Sequence, residues 1–331
     1  MVRINSIEVS PPLINTSCAW ASELSQLEEL YHSPHTGAVT TRTSTLQGYN
    51  ETEAHTVVFS KSSLSSLNSY GYSPHPNAYY LDSVKTILSE VPRPTKPFII
   101  SLAASTKTEI QALVGAIQDL RADLHDRDPS SSSRIAIEFN TSCPNISNDS
   151  PPTGYVFEEL RDILGALAEA YKKDETLTIG LKMPPYVYRQ QFIAALDVLE
   201  SFTVETEGKR KSPWAFLTAT NTLGNSLMFS EDVTRLDGTT REEQFGVPTA
   251  TGGLAGEAIH ALSLGNVHTY TKLLRSGEYE GMRETVIIGV GGVTSYAAAT
   301  RMRKAGADVV GCATLLGREG VQAFKILSTQ P

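Results

Sequence analysis

Eight short apolar or β-branched runs, most followed by a stretch of helical periodicity, constrain this chain more than any other feature. The predicted strands cover residues 13–17, 37–43, 98–104, 135–140, 178–183, 215–222, 285–289 and 308–312. Between them, helical faces are marked by Leu24, Leu27, Leu30 and Tyr31, then by residues 79–88, then by Ile110, Leu113, Val114 and Ile117. Further faces follow at Phe157, Leu160, Leu164 and Leu167, over 192–202, 257–274 and 296–304, and at Val321, Phe324 and Leu327. Strands that alternate with helices pair in parallel through right-handed crossovers. Eight such units close into a (β/α)8 TIM barrel more naturally than they form an open sheet, the doubly wound α/β sheet being the alternative. The expected architecture is an α/β barrel occupying 1–331 as a single domain, with insertions after strands two, four and six. The first insertion, 44–76, reads as a long irregular stretch rich in Ser, Asn, Tyr and Gly, and the third, 223–253, as a polar one.

Composition narrows the function classes. With 40% apolar residues in 331, a sizeable core is available. The formal charge of -8, with no basic cluster, argues against an electrostatic grip on nucleic acid. The opening residues, MVRINSIEVSPPLIN, lack the long apolar run of a signal peptide or membrane anchor. Cys18, Cys143 and Cys312 lie far apart without a CxxC pair, which suits a reducing compartment. A globular, cytoplasmic protein is expected. The scattered histidines form no HExxH or Cys/His cluster, so no metal site is predicted.

In a barrel of this kind chemistry collects at the carboxyl ends of the strands. Those ends carry Asn15-Thr16-Ser17-Cys18, Thr41-Arg42-Thr43, Asn140-Thr141-Ser142-Cys143-Pro144-Asn145, Lys182, Thr220-Asn221-Thr222, Gly291-Gly292 and Ala313-Thr314. The first insertion adds Asn68-Ser69-Tyr70-Gly71-Tyr72. Cys143 sits between two amides and can act as base or nucleophile, although a simple proline turn also fits its surroundings. Lys182 either snorkels to solvent, forms a Schiff base, or sets a fixed positive charge beside a cofactor. Gly289-Val290-Gly291-Gly292 lacks the third glycine of a dinucleotide fingerprint. Following strand seven of a barrel, it suits a monophosphate, together with the backbone near Ala313 and Thr314.

At these residues the chain resembles the class 1A dihydroorotate dehydrogenases, FMN-dependent barrels of pyrimidine biosynthesis. The most specific pieces are Leu67-Asn68-Ser69-Tyr70-Gly71, the Asn140 to Asn145 stretch, Gly180-Leu181-Lys182-Met183-Pro184-Pro185, and Asn221-Thr222-Leu223-Gly224-Asn225. The resemblance implies that Cys143 is the catalytic base, taking a proton from C5 of dihydroorotate while a hydride leaves C6 for the flavin N5. It implies substrate contacts from Arg42, Asn68, Ser69, Tyr70, Gly71, Tyr72, Asn140, Asn145, Asn221 and Thr222. Amides suit a ring that presents both donors and acceptors. For FMN it implies Ser17, Cys18, Arg42, Thr43, Asn140, Lys182, Thr220 and Gly256, with Gly291, Gly292, Ala313 and Thr314 around the phosphate. A fumarate-type soluble acceptor and a homodimer are also implied. The sequence departs from the family pattern at Arg42-Thr43, where Lys-Ser is usual, and at Cys18 and Ala313, where glycine is usual. A planar, always-charged guanidinium is not a conservative exchange for lysine. Two other readings stay open: a flavin oxidoreductase acting on a different cyclic amide or imide, and a lyase or aldolase using Lys182 as a Schiff base. Residues 146–153 are expected to form a lid over the ring.

Overall fold

The eight runs form one parallel sheet, with strands Leu13–Asn15, Val39–Thr40, Phe98–Leu102, Ile135–Asn140, Thr178–Met183, Trp214–Ala219, Val286–Val290 and Val309–Cys312. Numbered one to eight along the chain, they are hydrogen-bonded in the order one, eight, seven, six, five, four, three, two. Each strand thus lies beside its sequence neighbours, which is the barrel arrangement. The computed structural model describes residues 1–90, 96–143, 145–146, 152–206, 209–236, 238 and 243–330.

The seam between strands one and two is closed by a side chain. Gly37 N donates to Leu13 O at 2.8 Å. The fully buried Asn15 amide then donates to Thr40 O at 2.6 Å and accepts from Thr40 N at 2.9 Å. An amide side chain carries the same donor and acceptor as a peptide group, so it replaces a missing rung of the ladder.

The barrel interior is layered by side-chain alternation. Ile14, Ile99, Ala136, Phe216 and Ile288 form an apolar lower layer. It is sealed by Ile4, Ile7 and Val9 of an amino-terminal hairpin, Val2–Ile4 with Ile7–Val9. The two-residue hairpin turn places Asn5 at φ 50°, a conformation asparagine tolerates better than most residues. Gly180 belongs to this packing, since a Cβ there would lie 2.2 Å from the Phe216 ring. Outside the sheet, helices Lys107–Asp123, Arg161–Lys173, Arg189–Glu200 and His260–Arg275 bury the apolar faces read from the sequence. The first of them begins with a capping box, Thr106 Oγ1 accepting from Glu109 N and the Glu109 carboxylate from Thr106 N.

Two expectations are corrected. The stretch 44–76 contains strands Val57–Ser60 and Ser65–Asn68, and the later polar insertion contains Leu223–Leu227, Val233–Thr234 and Thr251–Gly256. Together they make one antiparallel five-stranded sheet, with Leu67 paired to Leu254 and Val233 to Ser60. The insertions after strands two and six therefore fold against each other. Ser65-Ser66-Leu67-Asn68 has weak strand propensity by itself, and its pairing is set by a partner far along the chain. Val58, Leu67, Val233 and Val247 give this sheet a small core of its own.

Candidate active site

The carboxyl ends of the strands and the insertion sheet enclose a cavity of about 1030 Å³, its open mouth included. Its polar wall is assembled from both layers. Asn140 and Lys182 project inward from paired positions on strands four and five. Asn221 follows strand six, and its Nδ2 donates to Asn140 Oδ1 at 3.2 Å and to Ser142 O. Asn68 ends an insertion strand and donates to Gly253 O at 3.0 Å. Asn145 ties the two layers together, its Nδ2 reaching Tyr70 O at 2.8 Å and Asn68 Oδ1 at 3.1 Å. Side chains held by backbone partners in this way are pre-organised, so a ring entering the cavity meets amides already oriented.

Cys143 opens into this cavity, its Sγ 3.8 Å from Tyr70 O. Burial pushes its thiol above the ordinary value of 9.0, while the Asn145 N–H and the charges of Lys182 and Arg42 pull the other way. Burial also raises Cys18 to about 11 and Cys312 to about 12, which keeps both as neutral thiols along the wall. Lys182 is buried and donates to Ser17 O at 3.3 Å. Arg42 is held on several sides. It pairs with Glu51 at 3.0 Å, donates to Tyr72 O at 3.2 Å, and lies 5.0 Å from the Tyr70 ring centroid. The guanidinium faces the cavity with part of its charge already offset.

At the opposite end, Gly291 and Gly292 adopt φ of 121° and 64°. A Cβ on Gly292 would lie 2.5 Å from His260 Cβ, so the turn needs glycine for both conformation and space. Among the described residues, the N–H groups of Gly292, Ala313 and Thr314 donate to no protein acceptor, and Gly291 stands beside them at the end of the strand-seven ladder. Ser66 Oγ and Thr314 Oγ1 stand 3.3 Å apart beside them. Unspent amides and hydroxyls in a cavity corner form an anion cradle.

With this geometry in view, the comparison with known proteins is decisive: a family model described as dihydroorotate dehydrogenase matches residues 1–330. The chain belongs to the dihydroorotate dehydrogenase family. Similar proteins include a putative dihydroorotate dehydrogenase A (fumarate) of Streptococcus equi subsp. equi, 26% identical over 316 residues, covering 95% of this chain and 85% of that one. A probable dihydroorotate dehydrogenase A (fumarate) of Streptococcus pneumoniae serotype 4 is 26% identical over 331 residues, covering 99% and 90%.

Nearly all the residues singled out from the sequence meet in this dihydroorotate dehydrogenase-family cavity. Ser17, Cys18, Arg42, Thr43, Asn68, Tyr70, Gly71, Tyr72, Asn140, Cys143 and Asn145 line it. Lys182, Thr220, Asn221, Thr222, Gly256, Gly291, Gly292, Ala313 and Thr314 line it too. Ser69 is not among the residues that line it. Its hydroxyl donates to Ala54 O at 2.6 Å and accepts from Thr56 N at 3.0 Å, which spends its one hydrogen inside the first insertion. Sequence reasoning missed Trp20, Val57, Ser66, Ala255 and Thr294 as wall residues. Ser66 and Ala255 escaped because the insertion sheet was not foreseen. Trp20 stands two residues after Cys18 and packs against Gly317, where a Cβ would sit 2.2 Å from its ring. Pro144 and residues 147–151, the centre of the expected lid, lie outside the described residues. No described helix is long and apolar enough to cross a membrane.

Proposed function

We propose that this chain oxidises dihydroorotate to orotate, with FMN as its redox cofactor and a small soluble acceptor of the fumarate type. The observation that carries this reading is Cys143 opening into an amide-lined cavity that also holds a buried lysine and an anion cradle. The residues present fit FMN on structural grounds. The unspent N–H groups of Gly292, Ala313 and Thr314, with Gly291 beside them, suit its phosphate, and the Lys182 ammonium suits a ring that gains negative charge on reduction. Bound there, FMN supplies a two-electron acceptor for a hydride.

The remaining work falls to side chains. Asn68, Asn140, Asn145 and Asn221 offer oriented amides to a ring that carries both donors and acceptors. Arg42 supplies positive charge for a carboxylate, moderated by Glu51. Cys143 Sγ removes the ring proton at C5. Because burial keeps its thiol protonated at neutral pH, the reactive thiolate grows as pH rises. A barrel wall on one side and the insertion sheet on the other exclude water from that step. A homodimer is the assembly we expect, checked by sedimentation.

Purified protein should be yellow, and anaerobic dihydroorotate should bleach it. A flavin that stays oxidised with dihydroorotate would favour a different cyclic amide or imide as substrate, a reading the Arg42–Glu51 pair supports. Colourless protein that binds no added FMN would overturn the flavin reading altogether.

A further inference from the structure

Between the apolar plug and the cavity lies a carboxylate that the proposed reaction does not use. Glu138 is 2% exposed and, among the described residues, has no cationic partner. Its Oε1 accepts from Ser101 Oγ at 3.2 Å and its Oε2 from Thr218 Oγ1 at 2.6 Å. Alternation along strand four places it two residues, about 7 Å, beneath the cavity-lining Asn140. Its register partner Gly180 lies likewise beneath Lys182. A carboxylate buried without a counter-ion is costly, and such charges cluster where they serve a site.

The hydroxyls above it form a chain with a direction. Ser101 spends its single hydrogen on Glu138, so in its 2.9 Å contact with Thr43 it accepts. Thr43, its own hydrogen spent, accepts from Asn140 Nδ2 at 3.1 Å and from Ser17 Oγ at 2.8 Å. Ser17 in turn accepts from Thr43 N at 2.8 Å and keeps one lone pair for the cavity wall it lines. The carboxylate therefore decides, three hydroxyls away, whether the wall at Ser17 offers an acceptor or a donor.

We propose that Glu138 is a positioning residue of the cofactor site. Its buried charge lowers the electron affinity of the bound flavin, offsetting Lys182 and Arg42, and its hydroxyl chain fixes Ser17 as an acceptor. The inference rests on the FMN reading above. The test compares FMN-loaded wild type, Glu138→Gln and Ser101→Ala, measuring the flavin midpoint by anaerobic dye equilibration and FMN dissociation by flavin fluorescence. Wild type that binds no FMN overturns the flavin reading and this inference with it. With FMN bound, Glu138→Gln should raise the ratio of reduced to oxidised flavin about tenfold at fixed potential, about 30 mV for a two-electron couple. One charge at this depth, with an effective dielectric of about 20, acts on that order. Ser101→Ala keeps the charge and cuts the chain, so its midpoint ratio should stay within about threefold while FMN dissociation rises roughly fivefold. A yellow wild type together with an unmoved or lowered midpoint in Glu138→Gln overturns the inference. If Glu138→Gln does not fold, an unchanged FMN dissociation constant in Ser101→Ala overturns it instead.

Discussion

Replacing Asn15 with alanine removes the side chain that closes the barrel between strands one and two. Thr40 is 1% exposed, and both of its peptide groups facing strand one are satisfied by the Asn15 amide, at 2.6 and 2.9 Å. Truncation leaves a buried N–H and a buried C=O without partners, each costing about 1–3 kcal/mol. A loss of about 4 kcal/mol is expected, a large share of the roughly 5–15 kcal/mol that holds a domain together. Equilibrium unfolding in urea, followed by the fluorescence of the two tryptophans, reads this as a lower midpoint at unchanged slope. Asn15→Asp keeps the acceptor for Thr40 N but sets oxygen against Thr40 O, so it should lose nearly as much. Asn50→Ala, at an exposed position, should stay within about 0.5 kcal/mol of wild type. The seam also bears on the site, because Arg42 and Thr43 lie two and three residues after Thr40 and Thr43 Oγ1 bonds Ser17 across it at 2.8 Å. FMN affinity should fall in the same variant. A stability loss below about 1 kcal/mol would refute the reasoning and assign closure to the Gly37–Leu13 bond and helix packing.

Four further predictions concern the cavity. Cys143→Ala should keep FMN but lose about 10²–10⁴-fold in turnover, the range for a positioned base, as measured by anaerobic flavin reduction; full activity would remove Cys143 from the mechanism. In wild type the rate of that reduction should rise with pH throughout the neutral range, because burial lifts the thiol above 9.0 and the thiolate fraction grows as pH approaches it; a rate that is flat from pH 6 to 9 would contradict this. Glu51→Gln leaves Arg42 without its 3.0 Å partner, so KM for an anionic substrate should fall up to about fivefold, with little change in kcat and a steeper salt dependence. Gly292→Ala forces a Cβ to 2.5 Å from His260 at φ 64°, so titration with FMN should show binding weakened at least tenfold, roughly 1–3 kcal/mol of backbone strain.

Much of the site was legible before any coordinates. The Asn140 to Asn145 stretch, Lys182, Asn221 and the glycine pair each stand where an apolar run gives way to polar residues, and a barrel sends all such ends to one mouth. Ser69 stays off the cavity wall because a motif says nothing about rotamer, and its hydroxyl is bonded to Ala54 O. Arg42 lines the cavity at the end of strand two, but its pairing with Glu51 belongs to the way the first insertion folds back.

The sequence by itself determined the eightfold alternation, the parallel barrel and the order of polar groups around its mouth. These follow from local period and chain order, which every segment carries within itself. Only the tertiary structure decided that two insertions would pair into one sheet, that an asparagine would close the seam, and that Glu138 would orient a chain of hydroxyls. Each of those outcomes depends on a partner far away in the chain, selected by geometry and by the cost of leaving a buried polar group unpaired.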